Sequence, residues 1–80
     1  MKKIKVVVKK LGREGAFGQA DFDTGVIEVD PRQDSKEMLD TIVHETLHLL
    51  NRSWKESRIK KQTKSIARAL WKSGYRRIYE

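Results

Sequence analysis

The 80-residue sequence contains no cysteine, which excludes disulfide bonds and every zinc site built on thiolates. Any bound metal must therefore be held by His, Asp or Glu side chains. The absence of cysteine also fits a reducing compartment. Because a chain of this length buries only a small core, we expect residues 1–80 to form a single domain stabilised by a staple such as a metal ion.

The sequence also lacks a long apolar segment. A helix that spans a bilayer needs about 20 apolar residues, whereas the apolar run near the N-terminus covers only Val6–Val8 before Lys9. Met1–Lys3 resembles the start of a signal peptide, but the run that follows is too short for one. We therefore expect no membrane association and predict a cytoplasmic protein.

Acidic residues are scarce in the C-terminal part of the chain. Residues 51–80 contain ten Lys/Arg and two Glu, whereas residues 1–50 contain eight Lys/Arg and nine Asp/Glu, so the net charge of +7 arises after residue 50. One interpretation is a solvated helix face; the other is a basic surface within residues 52–77 that binds nucleic acid or an acidic protein. Basic residues that could contact phosphates recur there at helical spacing: Arg58, Lys61, Lys64, Arg68 and Lys72.

Hydrophobic periodicity predicts three strands. Within residues 2–10, Ile4, Val6 and Val8 alternate with lysines, which is typical of a half-buried strand with these three side chains facing inward. Residues 19–23 and 26–30 flank Thr24-Gly25 and are predicted to form a hairpin, because glycine readily adopts the positive φ of such a turn.

Two helices are predicted to follow, over about residues 35–51 and 54–73. Asp34 and Glu37 match a capping box at the start of the first, and Gly74 is a natural stop for the second. The predicted apolar stripes are Leu39, Ile42, Val43, Leu47 and Leu50 on the first helix, and Ile59, Thr63, Ile66, Ala67 and Leu70 on the second. The resulting fold class is α+β: a small antiparallel or mixed three-stranded sheet packed on the first helix, with the second helix antiparallel to the first.

Residues 44–48, His-Glu-Thr-Leu-His, carry the clearest chemical signal. Helical geometry places His44 and His48 one turn apart on one face, where both imidazoles can bind one metal ion, and Glu45 can reach a water molecule at that metal. The alternative is a chance pattern on a solvated helix. The position within a predicted helix, and the absence of any other histidine from the sequence, favour a zinc site.

A catalytic zinc has three protein ligands. The carboxylates that follow His48 in the chain are Glu56 and Glu80. Glu56 is predicted beside the inward stripe of the second helix, where an unpaired carboxylate would be costly, and the short connection brings it near His48. Alternatively, Ser53 and Glu56 form a capping box and Glu56 caps its own helix. We favour Glu56 as the third ligand. Less favoured candidates from the sheet region are Asp21, Asp23 and Glu14.

The segment 41–48, Thr-Ile-Val-His-Glu-Thr-Leu-His, follows a hairpin and precedes a glutamate-bearing helix. In this respect the chain resembles the gluzincin metallopeptidases, above all the minigluzincins and the ImmA/IrrE-like proteins common in phages and mobile elements. The resemblance covers roughly residues 4–72, and only the His-Glu-x-x-His segment is specific. The chain differs from the family in having no helix ahead of its first strand.

The resemblance implies a zinc peptidase with His44, His48 and Glu56 as ligands and Glu45 as the general base. It also implies that part of Ala16–Asp23 is the edge strand that pairs with the substrate backbone. The expected reaction is hydrolysis of a peptide or protein substrate: Zn²⁺ polarises the carbonyl and acidifies water, while Glu45 takes a proton and passes it to the leaving amine.

Two questions remain open at the level of sequence. The developing oxyanion could be stabilised by Tyr75, Tyr79 or Arg76, each of which also fits a surface or packing role. The alternative function is a basic module that binds nucleic acid or an acidic protein, with a structural or inert zinc site.

Overall fold

The computed structural model describes residues 3–12 and 17–76. Their elements in chain order are β1 (Lys5–Val8), β2 (Gly18–Asp21), β3 (Val26–Val29), α1 (Ser35–Leu50) and α2 (Glu56–Lys72). The fold is therefore α+β, and the predicted class is confirmed. Within the described ranges, neither helix combines the length and apolar character needed to cross a membrane.

The sheet is mixed, with the strand order β1-β3-β2. β2 and β3 form the predicted antiparallel hairpin, and β1 runs parallel to β3. In the turn, Gly25 adopts a φ of 74°, and the Asp21 carboxylate accepts hydrogen bonds from the N–H groups of Asp23 and Thr24. All three strands are four residues long and thus shorter than predicted.

The prediction that Ile4, Val6 and Val8 face the core is wrong for Val6 and Val8. Val6 and Val8 are 42% and 44% exposed, whereas Val7 is half-buried and Ile4 packs against the core. The reason is the position of α1, which packs against β2 and β3. β1 lies beyond β3, at the side of the sheet away from that contact, so alternation alone did not identify its buried side chains.

The start of α1 follows the predicted capping box. The Asp34 carboxylate accepts a hydrogen bond from the N–H of Glu37 at 2.8 Å, and the Glu37 carboxylate accepts one from the N–H of Asp34 at 3.0 Å. These contacts satisfy N–H groups that have no partner within the helix. They fix the first residue of α1, and with it the phase at which His44 and His48 appear.

The core lies between α1 and the β2–β3 hairpin. Ile27, Val29 and Met38 are its buried centre, and Ile4, Ala20, Ile42 and Leu49 pack around them. The predicted α1 stripe is therefore only partly right, since Leu50 is 46% exposed and Met38, outside that stripe, is the buried residue of the helix. Residues 41–49 are all half-buried because the sheet covers one side of α1 and α2 covers another.

α2 packs on α1 through the predicted residues Ile59, Thr63 and Ala67, which are buried. Ile66, which we also expected inside, is exposed. The two helices are antiparallel. The last turn of α1 meets the first residue of α2, and Lys36 near the start of α1 lies over the ring of Trp71 near the end of α2. The stop is as predicted, with Gly74 at a φ of 92°.

Candidate metal centre

Three side chains from the two helices converge at the C-terminal half of α1. His44 Nε2 lies 2.9 Å from Glu56 Oε1, and His48 Nε2 lies 3.0 Å from Glu56 Oε2. The two Nε2 atoms are 3.2 Å apart. The i,i+4 spacing on α1 brings the imidazoles together, and the antiparallel packing of α2 brings the carboxylate to them.

The donor set fits a zinc ion in kind and in spacing. Two imidazole nitrogens and a carboxylate oxygen are ordinary zinc ligands, and the donor atoms of these three residues all lie within 4.8 Å of one another. Tetrahedral zinc with bonds of about 2.0–2.1 Å separates its ligand atoms by about 3.3 Å. The two Nε2 atoms are 3.2 Å apart and each lies within 3.0 Å of a different Glu56 oxygen, so the three side chains are close enough to converge on one ion.

The competing role of Glu56, as a cap of its own helix, does not occur. α2 begins at Glu56 itself, its N-cap residue is Lys55, and no side-chain capping bond is formed there. The predicted capping box with Ser53 is therefore wrong, and the helix starts later than predicted. The Glu56 carboxylate instead reaches across to the two histidines of α1.

The connection between the helices explains this placement. Asn51 ends α1, with its N–H donating to the carbonyl of Leu47 at 2.9 Å, and its carbonyl accepts a hydrogen bond from the N–H of Trp54 at 3.0 Å. The chain turns here before Lys55, whose carbonyl accepts the first helical bond of α2 from the N–H of Ile59 at 3.1 Å. Because the turn is short, Glu56, the first residue of α2, lies next to His48 near the end of α1.

Glu45 faces the sheet rather than α2. It is half-buried, and its Cγ would lie 3.4 Å from a Cβ built on Gly18 of β2. The pKa of Glu45 is raised above its ordinary value, chiefly because the carboxyl group is partly buried. Glu45 thus lies between the histidine pair and β2, in surroundings that make its carboxylate a better proton acceptor than an exposed one.

β2 presents a free backbone edge beside Glu45. It is the terminal strand of the sheet, and in the part of the chain that the structure describes no other strand pairs with its outer side. The carbonyl of Phe17 accepts from the N–H of Asp30 at 2.8 Å. Because hydrogen-bonded pairs alternate in an antiparallel ladder, the N–H and C=O groups of Gly18 and Ala20 point away from β3.

The less favoured ligand candidates are not brought to the histidines. The Asp21 carboxylate accepts hydrogen bonds within the β2–β3 turn, where Asp23 is exposed. Arg76, a candidate to stabilise the oxyanion, stacks on the ring of Trp71 at 3.3 Å and donates to its carbonyl at 2.7 Å. Tyr75 is exposed beside it. Three further candidates, Glu14, Tyr79 and Glu80, lie outside the described residues.

Sequence reasoning missed Gly18. A Cβ at this position would overlap the Cγ2 atom of Thr41, so only glycine allows α1 to approach β2 this closely. The predicted strand begins at residue 19, one residue after Gly18, whereas β2 includes Gly18, and a glycine within a strand marks a close backbone approach.

The predicted basic residues of α2 form an exposed face. Arg58, Lys61, Lys64, Arg68 and Lys72 are all exposed, and Glu56 is the one acidic residue of this helix. Arg58 lies over the ring of Trp54 at 4.2 Å, and the other four have no ion pair among the described residues. Arg58, Arg68 and Lys72 lie on the side of α2 turned away from its buried Ile59–Ala67 stripe, whereas Lys61 and Lys64 border a cleft beside α1.

Comparisons with protein-family models, with curated proteins and with solved structures found no match to this chain. The resemblance to gluzincins therefore rests on the residues themselves, and the gluzincin identification stays a prediction.

Proposed function

We propose that this chain is a small zinc-dependent peptidase of the minigluzincin kind, in which His44, His48 and Glu56 hold Zn²⁺ and Glu45 is the general base. One observation carries the proposal. The three donor side chains converge, and the Glu45 side chain, on the same turn of α1 as His44, packs against Gly18 of the edge strand β2. A cytoplasmic location remains a prediction from the sequence.

The metal ligands, the edge of β2 and Glu45 have separate roles in the proposed hydrolysis. Zinc held by the trio of His44, His48 and Glu56 would polarise the scissile carbonyl and acidify the attacking water. The outward N–H and C=O groups of Gly18 and Ala20 hold the substrate backbone as an added strand. Glu45 takes a proton from water and delivers it to the amide nitrogen as the C–N bond breaks. Water is thereby added across the peptide bond, giving a carboxylate and an amine.

Glu45→Gln tests this proposal. The variant keeps the shape of the side chain but cannot accept the proton, so we expect it to retain zinc and to lose cleavage across a broad peptide library. Glu28→Gln is the matched control, because this carboxylate lies on β3 and pairs with Lys9 and Gln19, away from the trio. Equal cleavage by wild type and Glu45→Gln would remove Glu45 from the mechanism.

A second candidate function is supported by the exposed basic face of α2. If that face binds nucleic acid as the main function, titration of zinc-loaded protein with duplex and single-stranded DNA should show tight binding at physiological salt. Binding through phosphates weakens steeply as salt rises. Tight binding by wild type and Glu45→Gln, with no cleavage by either, would favour this function and make zinc a structural staple.

A further inference from the structure

A cleft of about 610 Å³ opens between α1 and α2 immediately beside the metal centre. The residues that line it are Asp40 and His44 from α1, and Lys60, Lys61, Thr63 and Lys64 from α2. Because His44 belongs to both the trio and the cleft, a group bound here lies next to any peptide bond held at the centre. Asp40 is one turn before His44 on α1, so the cleft extends from the centre towards the start of that helix.

The cleft is rich in unpaired positive charge. It contains three lysines and one carboxylate, Asp40. Within the described part of the chain, none of the three lysines has a carboxylate oxygen within 4.0 Å of its ammonium group, and Asp40 is not part of an ion pair either. Lysines that converge without an anion leave a positive potential that favours a negatively charged ligand.

Thr63 gives a second, independent indication of a ligand. It is 3% exposed, lines the cleft, and its hydroxyl Oγ1 has no hydrogen-bond partner among the described residues. A buried hydroxyl without a partner is costly and uncommon in folded proteins. The hydroxyl oxygen has almost no accessible surface, so a carboxylate in the cleft reaches it only when the side chains around Thr63 move, and the carboxylate then accepts its hydrogen bond.

We propose that this cleft is a specificity subsite that binds a carboxylate of the substrate: an acidic side chain near the scissile bond, or the C-terminal carboxylate of a short peptide. The proposal rests on the proposed peptidase function and names its substrate class. The lysines attract and neutralise the carboxylate, and Thr63 donates a hydrogen bond to it. Since successive residues of an extended chain are about 3.3–3.6 Å apart, the recognised group lies within a few residues of the bond that is cut.

Binding to the zinc-loaded Glu45→Gln variant tests the subsite without requiring turnover. The probes are alanine-based hexapeptides labelled with fluorescein at the N-terminus, in which Glu or Gln is moved through each position. Each peptide is made with a free and with an amidated C-terminus. We expect about tenfold tighter binding for one Glu peptide over its Gln partner, or for free over amidated peptides, which is typical of a hydrogen-bonded charge. The first result identifies a side chain as the ligand, and the second identifies the C-terminus.

Variants then test which residues cause the preference for carboxylate peptides. Replacing Lys60, Lys61 and Lys64 together by Gln should abolish it. Replacing Lys3, Lys5 and Lys10 by Gln changes the net charge equally, but at exposed positions on and beside β1, and should leave the preference intact. Thr63→Val should weaken binding of the carboxylate peptide and leave its neutral partner unchanged. It should not lower the melting temperature, because it removes an unsatisfied hydroxyl.

Three results would overturn the subsite. These are equal affinity for all charged and neutral pairs, equal loss of the preference in both triple variants, and retention of the preference in the Lys60/Lys61/Lys64 variant. The outcome is separable from that of the peptidase proposal, which wild type tests on the same peptides. A binding preference without any cleavage supports the subsite against the peptidase. Cleavage without a preference for the carboxylate peptides supports the peptidase and argues against the subsite.

Discussion

Gly18 of β2 and Thr41 of α1 are in such close contact that a Cβ at residue 18 would overlap the Thr41 methyl group. The methyl cannot simply turn away, because the Thr41 hydroxyl donates a hydrogen bond to the Gln33 side chain. We predict that Gly18→Ala destabilises the protein by about 1–3 kcal/mol, the usual cost of overpacking. Chemical denaturation measures the change.

Thr41→Ser provides the matched control for this prediction. Serine keeps the hydroxyl that Gln33 accepts and removes the overlapping methyl. Gly18→Ala should therefore cost less in the Thr41→Ser background than in wild type, a coupling that a double-mutant cycle detects. Purely additive effects would show that the contact between Gly18 and Thr41 does not set the distance between α1 and β2.

Local sequence patterns predicted the positions of the helices and strands better than they predicted which side chains are buried. The capping box of Asp34 and Glu37, the glycine turn at Gly25 and the stop at Gly74 depend on neighbouring residues, so the sequence contains the full information. The exposure of Val6 and Leu50 depends instead on where α1 lies on the sheet, a tertiary contact that periodicity does not encode.

The candidate metal centre also combines a feature that local spacing predicts with one that depends on tertiary packing. Helical spacing predicted that His44 and His48 share a face, and they do. The role of Glu56 could not be fixed by spacing, because Ser53-x-x-Glu56 satisfies both a capping box and a ligand. Only the turn at Asn51 and the antiparallel packing of α2 distinguish the two roles.

Glu56→Gln separates the charge of this side chain from its shape. If Glu56 is a zinc ligand, the variant should lose zinc affinity by at least about tenfold, a loss that even substitutions in the outer shell of a zinc site can cause. Its helix content should not change, because Glu56 makes no capping bond. Competition with a chromophoric chelator measures the affinity, and circular dichroism measures the helix. Zinc binding as tight as that of wild type would require a third ligand elsewhere.

Removal of zinc should lower the stability of the fold. The ion would tie α1 to α2 through the trio, and a ligand that binds only the native state stabilises it by mass action, about 2.7 kcal/mol at a concentration of 100 Kd. For a domain of this size, that corresponds to a melting temperature at least about 10 °C lower after chelation. An unchanged melting temperature in protein shown to be zinc-free would argue against this coupling.

Asp30 should make the fold sensitive to acid. Hydrogen bonds from the Arg32 side chain, and then from the N–H groups of Arg32 and Leu11, hold the pKa of this buried carboxyl well below its ordinary value of 3.8, against the opposing effect of burial. Because the pKa is lower in the folded state, the stabilisation is present above about pH 4 and is lost as the pH falls below it.

Thermal melts between pH 2 and pH 7 test this dependence. Wild type should lose melting temperature below about pH 4 more steeply than Asp30→Asn, which cannot ionise and should already be less stable at pH 7. Asp23→Asn is the matched control, because Asp23 is exposed and forms no ion pair with Arg32. Parallel pH curves for wild type and Asp30→Asn would contradict the prediction.

The central claim is that His44, His48 and Glu56 bind one zinc ion, and the zinc content of the purified chain tests it most directly. Elemental analysis after loading and desalting should find one zinc per chain in wild type and little in His48→Ala, because the variant loses one of the three converging donors. Equal zinc in the two proteins would contradict the account.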